Sequence, residues 1–254
     1  VILHNRATVA VSIHAHGVTY DSTSDGTPHG LVPMEMAGDP AMGMGGSSSS
    51  SSSSSSTMMP REGHPLQPDD AVMPGDKYEY TWNVTVEAGP GPSEGSSKVW
   101  FYHSHVMELA DVYSGLVGPL VITRRGWARD EAAGDLRPAD VDVELFALFL
   151  IARESSSRLI DDSMHMVLNT TGELTGEDFV RLRSDHAFVL SNEMHSINLM
   201  SFSNLQGLEA KQGQVVRWHV MAMGDTDDVH TAHWHGQRVS ERGHGVAPIM
   251  ASLP

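Results

Sequence analysis

The sequence predicts an all-β protein made of two Greek-key β-sandwich units. Short runs of alternating apolar residues bounded by Gly and Pro turns recur along most of its 254 residues, and stretches of helical period are few. The order of segments also repeats. Val1-Ile2-Leu3-His4-Asn5 followed by His14-Ala15-His16-Gly17 lines up with Val215-Val216-Arg217-Trp218-His219 followed by His233-Trp234-His235-Gly236. In that register the first unit has no counterpart of about 186–214 before it, and the second none of about 36–123 after it. Both units are therefore expected to be incomplete.

The chain opens on a strand pair, with Val9, Val11 and Ile13 alternating against Ala10 and Ser12 on the way to the first His pair. Residues 38–63, rich in Gly, Met and Ser, hold a serine run over 47–56 and too little apolar surface to fold alone, so they read as an insertion. Its neighbourhood contains Met34, Met36, Met42, Met44, Met58 and Met59, whose soft thioethers suit copper(I), but low-complexity drift is the preferred account and no role is assigned. Pro74-Gly75 then turns the chain into an alternating strand ending near 86, and residues 98–105 and 116–123 complete the first unit. The expected organisation is a first domain over 1–125, a charged, irregular linker over 126–138, and a second domain over 139–254 that opens on an apolar strand at 141–151.

A formal charge of −16 argues against nucleic acid and anionic membranes as partners and favours cations. The longest apolar run, 145–152, has the length of a buried strand and falls well short of a membrane span. Neither a start Met nor a signal peptide is present, so the chain reads as mature or trimmed. The complete lack of Cys removes disulfides and thiolate ligands together. Two sequons, Asn83-Val84-Thr85 and Asn169-Thr170-Thr171, are compatible with a secreted glycoprotein.

Histidine carries the chemistry. Three His-x-His pairs, His14/His16, His103/His105 and His233/His235, occur where 15 His in 254 residues would give roughly one by chance. On an extended strand each pair presents both imidazoles to one face, while His230 stands one step away and can serve another site. Imidazole suits copper, zinc, iron and nickel alike, so the pairs point to metal without naming it. An isolated pair of this kind is more often two satisfied or exposed histidines.

The surrounding phrases supply the missing context: Ser12-Ile13-His14-Ala15-His16-Gly17-Val18; Met73-Pro74-Gly75 leading to Tyr78-Glu79-Tyr80-Thr81-Trp82; Trp100-Phe101-Tyr102-His103-Ser104-His105-Val106; Tyr113-Ser114-Gly115-Leu116-Val117-Gly118-Pro119-Leu120; Asn192-Glu193-Met194-His195-Ser196-Ile197-Asn198; Asn204-Leu205-Gln206-Gly207-Leu208; and Val229-His230-Thr231-Ala232-His233-Trp234-His235-Gly236. In these the chain resembles the ceruloplasmin/hephaestin-like ferroxidase branch of the multicopper oxidases over nearly its whole length outside the insertion. The resemblance implies two cupredoxin-like domains. It implies that His14 and His233 hold a single type 2 copper, that His16, His103, His105 and His235 hold a type 3 pair completing a trinuclear cluster, and that His230 belongs to a type 1 copper. It also implies one-electron oxidation of Fe2+ or another reductant coupled to four-electron reduction of O2 to water, with an extracellular or cell-surface location.

Three departures from the family pattern stand out. No His-Cys-His segment is present, so the type 1 copper lacks its thiolate in this chain; Ser104 in the Cys position of the first domain is, by the resemblance, usual for a first domain. The disulfide that the resemblance implies would join positions 97 and 123, which are Ser97 and Thr123 here. The acidic residue that family ferroxidases carry five positions before His195, a candidate contact for substrate iron, is Leu190, with Glu193 on the opposite strand parity. Laccase-like oxidation of organic reductants, a non-catalytic cupredoxin scaffold and a histidine-only copper-binding fragment are the alternatives. A homo-oligomer that completes the copper cluster between subunits is a further expectation, since the His half-sites fall in successive domains.

Overall fold

The structure, a computed structural model, describes residues 1–28, 31–33, 58–60, 67–168, 172, 175–223, 231–241 and 244–247. Strands dominate the first half of the chain. In order they are β1 (Ile2–His4), β2 (His14–Ala15), β3 (Leu31–Pro33), β4 (Met58–Pro60), β5 (Lys77–Glu79) and β6 (Ser97–His103), then a short helix α1 (Glu108–Tyr113) and β7 (Val117–Thr123). A hairpin of β8 (Ala128–Asp130) and β9 (Asp135–Pro138) leads into the long β10 (Val143–Arg153). After a 3-10 turn at Glu154–Ser156 come α2 (Ile160–Val167), α3 (Gly176–Ser184) and α4 (His186–Ser191), followed by β11 (Glu193–Ile197), β12 (Val216–Ala222), β13 (Val239–Glu241) and β14 (His244–Ala247).

Two three-stranded sheets organise the described residues. In the first, β6 lies between β2 and β7, antiparallel to both, and its run Val99-Trp100-Phe101-Tyr102 has the β-branched and aromatic character that packs on a pleated surface. In the second, β10 lies between antiparallel β11 and parallel β12. Being central, β10 is almost continuously apolar, with Leu145, Ala147, Leu148, Leu150 and Ala152 buried. Val112 and Tyr113 of α1 pack with Leu150 of β10, joined by Val117, Leu199 and Met223. Arg217 of β12 donates to the hydroxyls of Ser96 (2.6 Å) and Ser97 (2.8 Å) at the start of β6.

Several sequence expectations change. The stretch read as an irregular linker forms the β8/β9 hairpin, and Arg129 reaches the carbonyls of Pro138, Val141 and Asp142 from it. Within 154–191, read as part of a strand-rich unit, the described residues form the 3-10 turn and the helices α2, α3 and α4. Thr175 and Asp178 cap α3 reciprocally, and Ile160, Met164 and Phe179 form a small core of their own. The insertion at about 38–63 lies outside the described residues apart from β4, which pairs with β3 and so closes its flanks. Ser97 and Thr123 are direct cross-strand partners on β6 and β7, where the implied disulfide would sit. Among the described residues no helix is long and apolar enough to cross a membrane.

Candidate metal centre

The β2/β6 pairing sets His14 directly opposite His103, and alternation then brings His16 and His105 to the same face. The four rings form one cluster. His14 is 5.0 Å from His16, 5.6 Å from His103 and 5.2 Å from His105, centroid to centroid, while His16–His103 and His103–His105 are 5.2 and 5.4 Å. His16 Nε2 and His103 Nε2 are 3.0 Å apart. At that distance the two rings share a hydrogen bond; two imidazoles on one tetrahedral ion at 2.0–2.1 Å would stand about 3.3 Å apart, a few tenths of an ångström farther.

Neighbouring groups orient the rings. The Nδ1 of His14 faces the Asp25 carbonyl (2.8 Å), the Asp25 carboxylate (3.0 Å) and the Thr27 hydroxyl (3.0 Å), which leaves its Nε2 for another partner. His103 Nδ1 lies 3.1 Å from the Ser104 carbonyl, so its proton is held there and the lone pair falls on Nε2. Phe101 packs on His16 at 4.3 Å. Burial, reinforced by the neighbouring His14 and His103 rings, lowers the His16 pKa from 6.5 to about 4. Burial also lowers that of His103. Both are thus neutral near pH 7, the form that ligates metal.

The backbone behind the rings is tightly specified. Gly17 follows His16 at φ +77°, and a Cβ there would lie 2.0 Å from the Trp100 ring, so only glycine fits. Ser104, between the two His of its motif, donates to buried Asp111 at 2.6 Å and accepts from the Ser12 amide at 3.1 Å. Asp111 also accepts from the Met107 amide (3.0 Å) and pairs with Arg158 (3.0 Å). The Ser104 hydroxyl is thereby a hydrogen-bonded strut between Ser12, just before β2, and α1. Asp25, Thr27, Asp111 and Arg158 went unrecognised in the sequence, though an Asp-Gly-Thr just after a His-x-His-Gly is a usable cue.

The third pair is placed differently. His233 and His235 are again adjacent, at 5.1 Å, yet both are exposed, and their neighbour Trp234 contacts Trp218 at 5.4 Å. The ring contacts of the first cluster, among the described residues, do not include them. His230 lies outside the described residues. His195 is exposed on β11 opposite Ile151. The parity objection to Glu193 does not hold, because Leu190 belongs to α4 and only Glu193 shares His195's strand; Glu193 is paired with Arg153 at 3.2 Å. Of the histidines without an expected role, His219 is bound to Glu144 (2.9 Å) and stacked on Phe146, and His165 packs on Phe179.

Among the described residues no three His, Asp or Glu side chains are close enough to hold a metal ion outright. The donor type suits copper nonetheless: four imidazoles on one face, of which His16 and His103 are neutral near pH 7. Clustered imidazoles on adjoining strands, with no Cys among the 254 residues, form a candidate site whose donors are histidines alone.

No family model matches the chain. Human (Homo sapiens) hephaestin is 34% identical over 242 residues, 95% of this chain and 18% of hephaestin. Mouse (Mus musculus) ferroxidase HEPHL1 is 30% identical over 246 residues, 96% of this chain and 18% of its own length. The solved multicopper oxidase mgLAC is 18% identical and aligns over 99% of this chain and 57% of its own, with a TM-score of 0.49. The chain belongs to the multicopper oxidases, in their hephaestin- and ceruloplasmin-like branch. It spans under a fifth of the length of the curated relatives it matches.

Proposed function

We propose that this chain supplies histidine half-sites of a trinuclear copper cluster in an oxidase that couples one-electron oxidation of Fe2+ to reduction of O2 to water. The observation that carries this reading is the 3.0 Å approach of His16 Nε2 to His103 Nε2 inside a four-imidazole cluster. His14, His16, His103 and His105 would hold copper from one side, and His233 and His235 from the other, with His14 fixed by Asp25 and Thr27. Copper, when bound, supplies the single-electron steps that dioxygen reduction needs. The balance is four Fe2+, one O2 and four protons giving four Fe3+ and two waters. A type 1 site at His230 would take its thiolate from outside these 254 residues, since they contain no Cys. The exposed His233/His235 pair supports completion of the cluster between copies of the chain, outside the cell as in the family expectation, with Asn83 exposed for glycosylation.

A second reading has its own support. The position where family ferroxidases carry an acidic residue is Leu190, on α4, which favours an organic reductant. Copper loading followed by metal counting tests the first claim. Wild type binds copper without the intense blue absorption of a thiolate site, and His16→Ala with His103→Ala loses it; equal copper in both would refute the half-site. Oxygen uptake by the oxidase containing this chain, with Fe2+ against an aromatic amine, separates the two reductants.

A further inference from the structure

We propose that the apolar cleft between the two three-stranded sheets is a binding site for a small neutral aromatic molecule of one ring or two fused rings. The cleft has a volume of about 360 Å³. Phe101 of β6 with Val117 and Pro119 of β7 line it from one sheet, and Phe146 and Leu148 of β10 with Met221 of β12 from the other. Ligand clefts commonly measure roughly 300–1,000 Å³, and an apolar cavity of about 150 Å³ already holds benzene.

One wall of the cleft is held at a conformational cost. Ile197 and Met200 exchange two backbone hydrogen bonds of 3.0 Å, so Asn198 and Leu199 are the central residues of a two-residue turn. Both have positive φ, +55° and +60°. Asn-Gly is the ordinary sequence for such a turn, because a Cβ at the second position crowds the backbone. The Leu199 side chain is nevertheless put to use. It lies 3.7 Å from where a Gly115 Cβ would stand, packs on the Val112, Tyr113 and Leu150 cluster, and lines the cleft. Left-handed strain at a non-glycine residue is a feature of ligand clamps.

The polar inventory sets the ligand class. Among the described residues, Asn198 is the one polar side chain lining the cleft, and its amide is engaged at both ends: Oδ1 accepts from the Leu148 amide at 2.8 Å and Nδ2 donates to the Phe146 carbonyl at 2.9 Å. No charged side chain among the described residues lines the cleft to pair an ion, and a chain of net charge −16 repels an anion. Phe101 and Phe146 offer aromatic surface, which a ring guest uses beyond the area it buries. Phe101 also packs on His16 at 4.3 Å, so a guest seated on it stands one ring from the histidine cluster. Such binding needs no copper.

The test is methyl NMR of the metal-free chain, titrated with naphthalene and, as its charged counterpart, 2-naphthoate. Naphthalene should give saturable shifts at the methyls of Leu148, Leu199 and Met221. Naphthoate should bind about tenfold more weakly or worse, since its charge would enter an apolar cleft unpaired. Leu199→Gly, which relieves the turn and removes one wall, should bind naphthalene about fivefold more weakly through lost apolar contact. Met221→Trp, which fills the cleft, should abolish the shifts, with circular dichroism confirming the fold of both variants. No saturable shift in wild type, shifts confined to residues away from the cleft, or equal binding of naphthoate would overturn the proposal. Unchanged affinity in either folded variant would do the same.

Discussion

His14-Ala15-His16-Gly17 and His233-Trp234-His235-Gly236 carry one pattern into two surroundings. Ring adjacency is the same, 5.0 Å in the first and 5.1 Å in the second, because alternate residues of an extended segment share a face whatever lies around them. Burial and surroundings are not the same. The first pair backs onto β6, is joined by His103 and His105, and rests on the Ser104–Asp111–Arg158 chain. The second is exposed. Even the closing glycines differ: both have positive φ, but Gly17 is pressed against Trp100 whereas Gly236 has nothing within 4 Å of where a Cβ would be. A short motif specifies which rings meet, and its neighbours decide whether those rings are ready for metal.

The largest effect is expected at Asp111, which is 0% exposed. Asp111→Ala strands the Arg158 guanidinium and the Ser104 hydroxyl and should cost about 3–5 kcal/mol in urea unfolding. Replacing Arg158 by Met in the same chain should recover much of that loss, since the unpaired buried charge goes too. Next comes the glycine pair. Gly17→Ala should cost about 3 kcal/mol or more through ring overlap added to backbone strain. Gly236→Ala should cost only the left-handed backbone penalty of about 1–2 kcal/mol. Equal losses at the two positions would show that Trp100 yields to the added methyl. Cys introduced at both Ser97 and Thr123 should form a disulfide across β6 and β7, because directly paired antiparallel residues are within bridging distance. The gain should be about 2 kcal/mol, read as a rise in Tm that reducing agent abolishes.

Acid should act on the first cluster. The folded His16 pKa of about 4 lies below its ordinary value of 6.5, so between these values the unfolded chain binds the proton more readily. Stability of the metal-free protein should be full above about pH 6.5 and decline as the pH falls toward 4, the direction that buried His103 shares. His16→Gln should flatten that dependence. The smallest effect is expected at His235: being exposed, its replacement by Ala should change stability by no more than about 0.5 kcal/mol. Copper retained by the assembled oxidase should nevertheless fall if His235 is a ligand.

What could be read from residue order is what depends on local periodicity. The three adjacent His pairs, the apolar central strand β10, the Pro74-Gly75 turn and the strand-dominated fold follow from alternation and turn chemistry over a few residues. The helices over 160–191 were obscured because α2 and α3 bury only a few residues, Ile160, Met164 and Phe179, against one another rather than a long apolar stripe against the main core. The hairpin at 128–138 was hidden by its charge, since two strands on the surface need few apolar residues.

The state of the candidate site was decided in three dimensions. Whether His16 is neutral depends on Phe101 and His103 closing over it, and they lie 85 and 87 positions away. The strut behind Ser104 needs Arg158, 47 residues beyond Asp111. Sequence alone determined that this chain carries a multicopper oxidase's histidines in order, because a motif is a local pattern. Only the tertiary structure determined that one set is gathered, oriented and desolvated while another stays open to water, because burial and electrostatic coupling depend on groups that the chain brings together from afar.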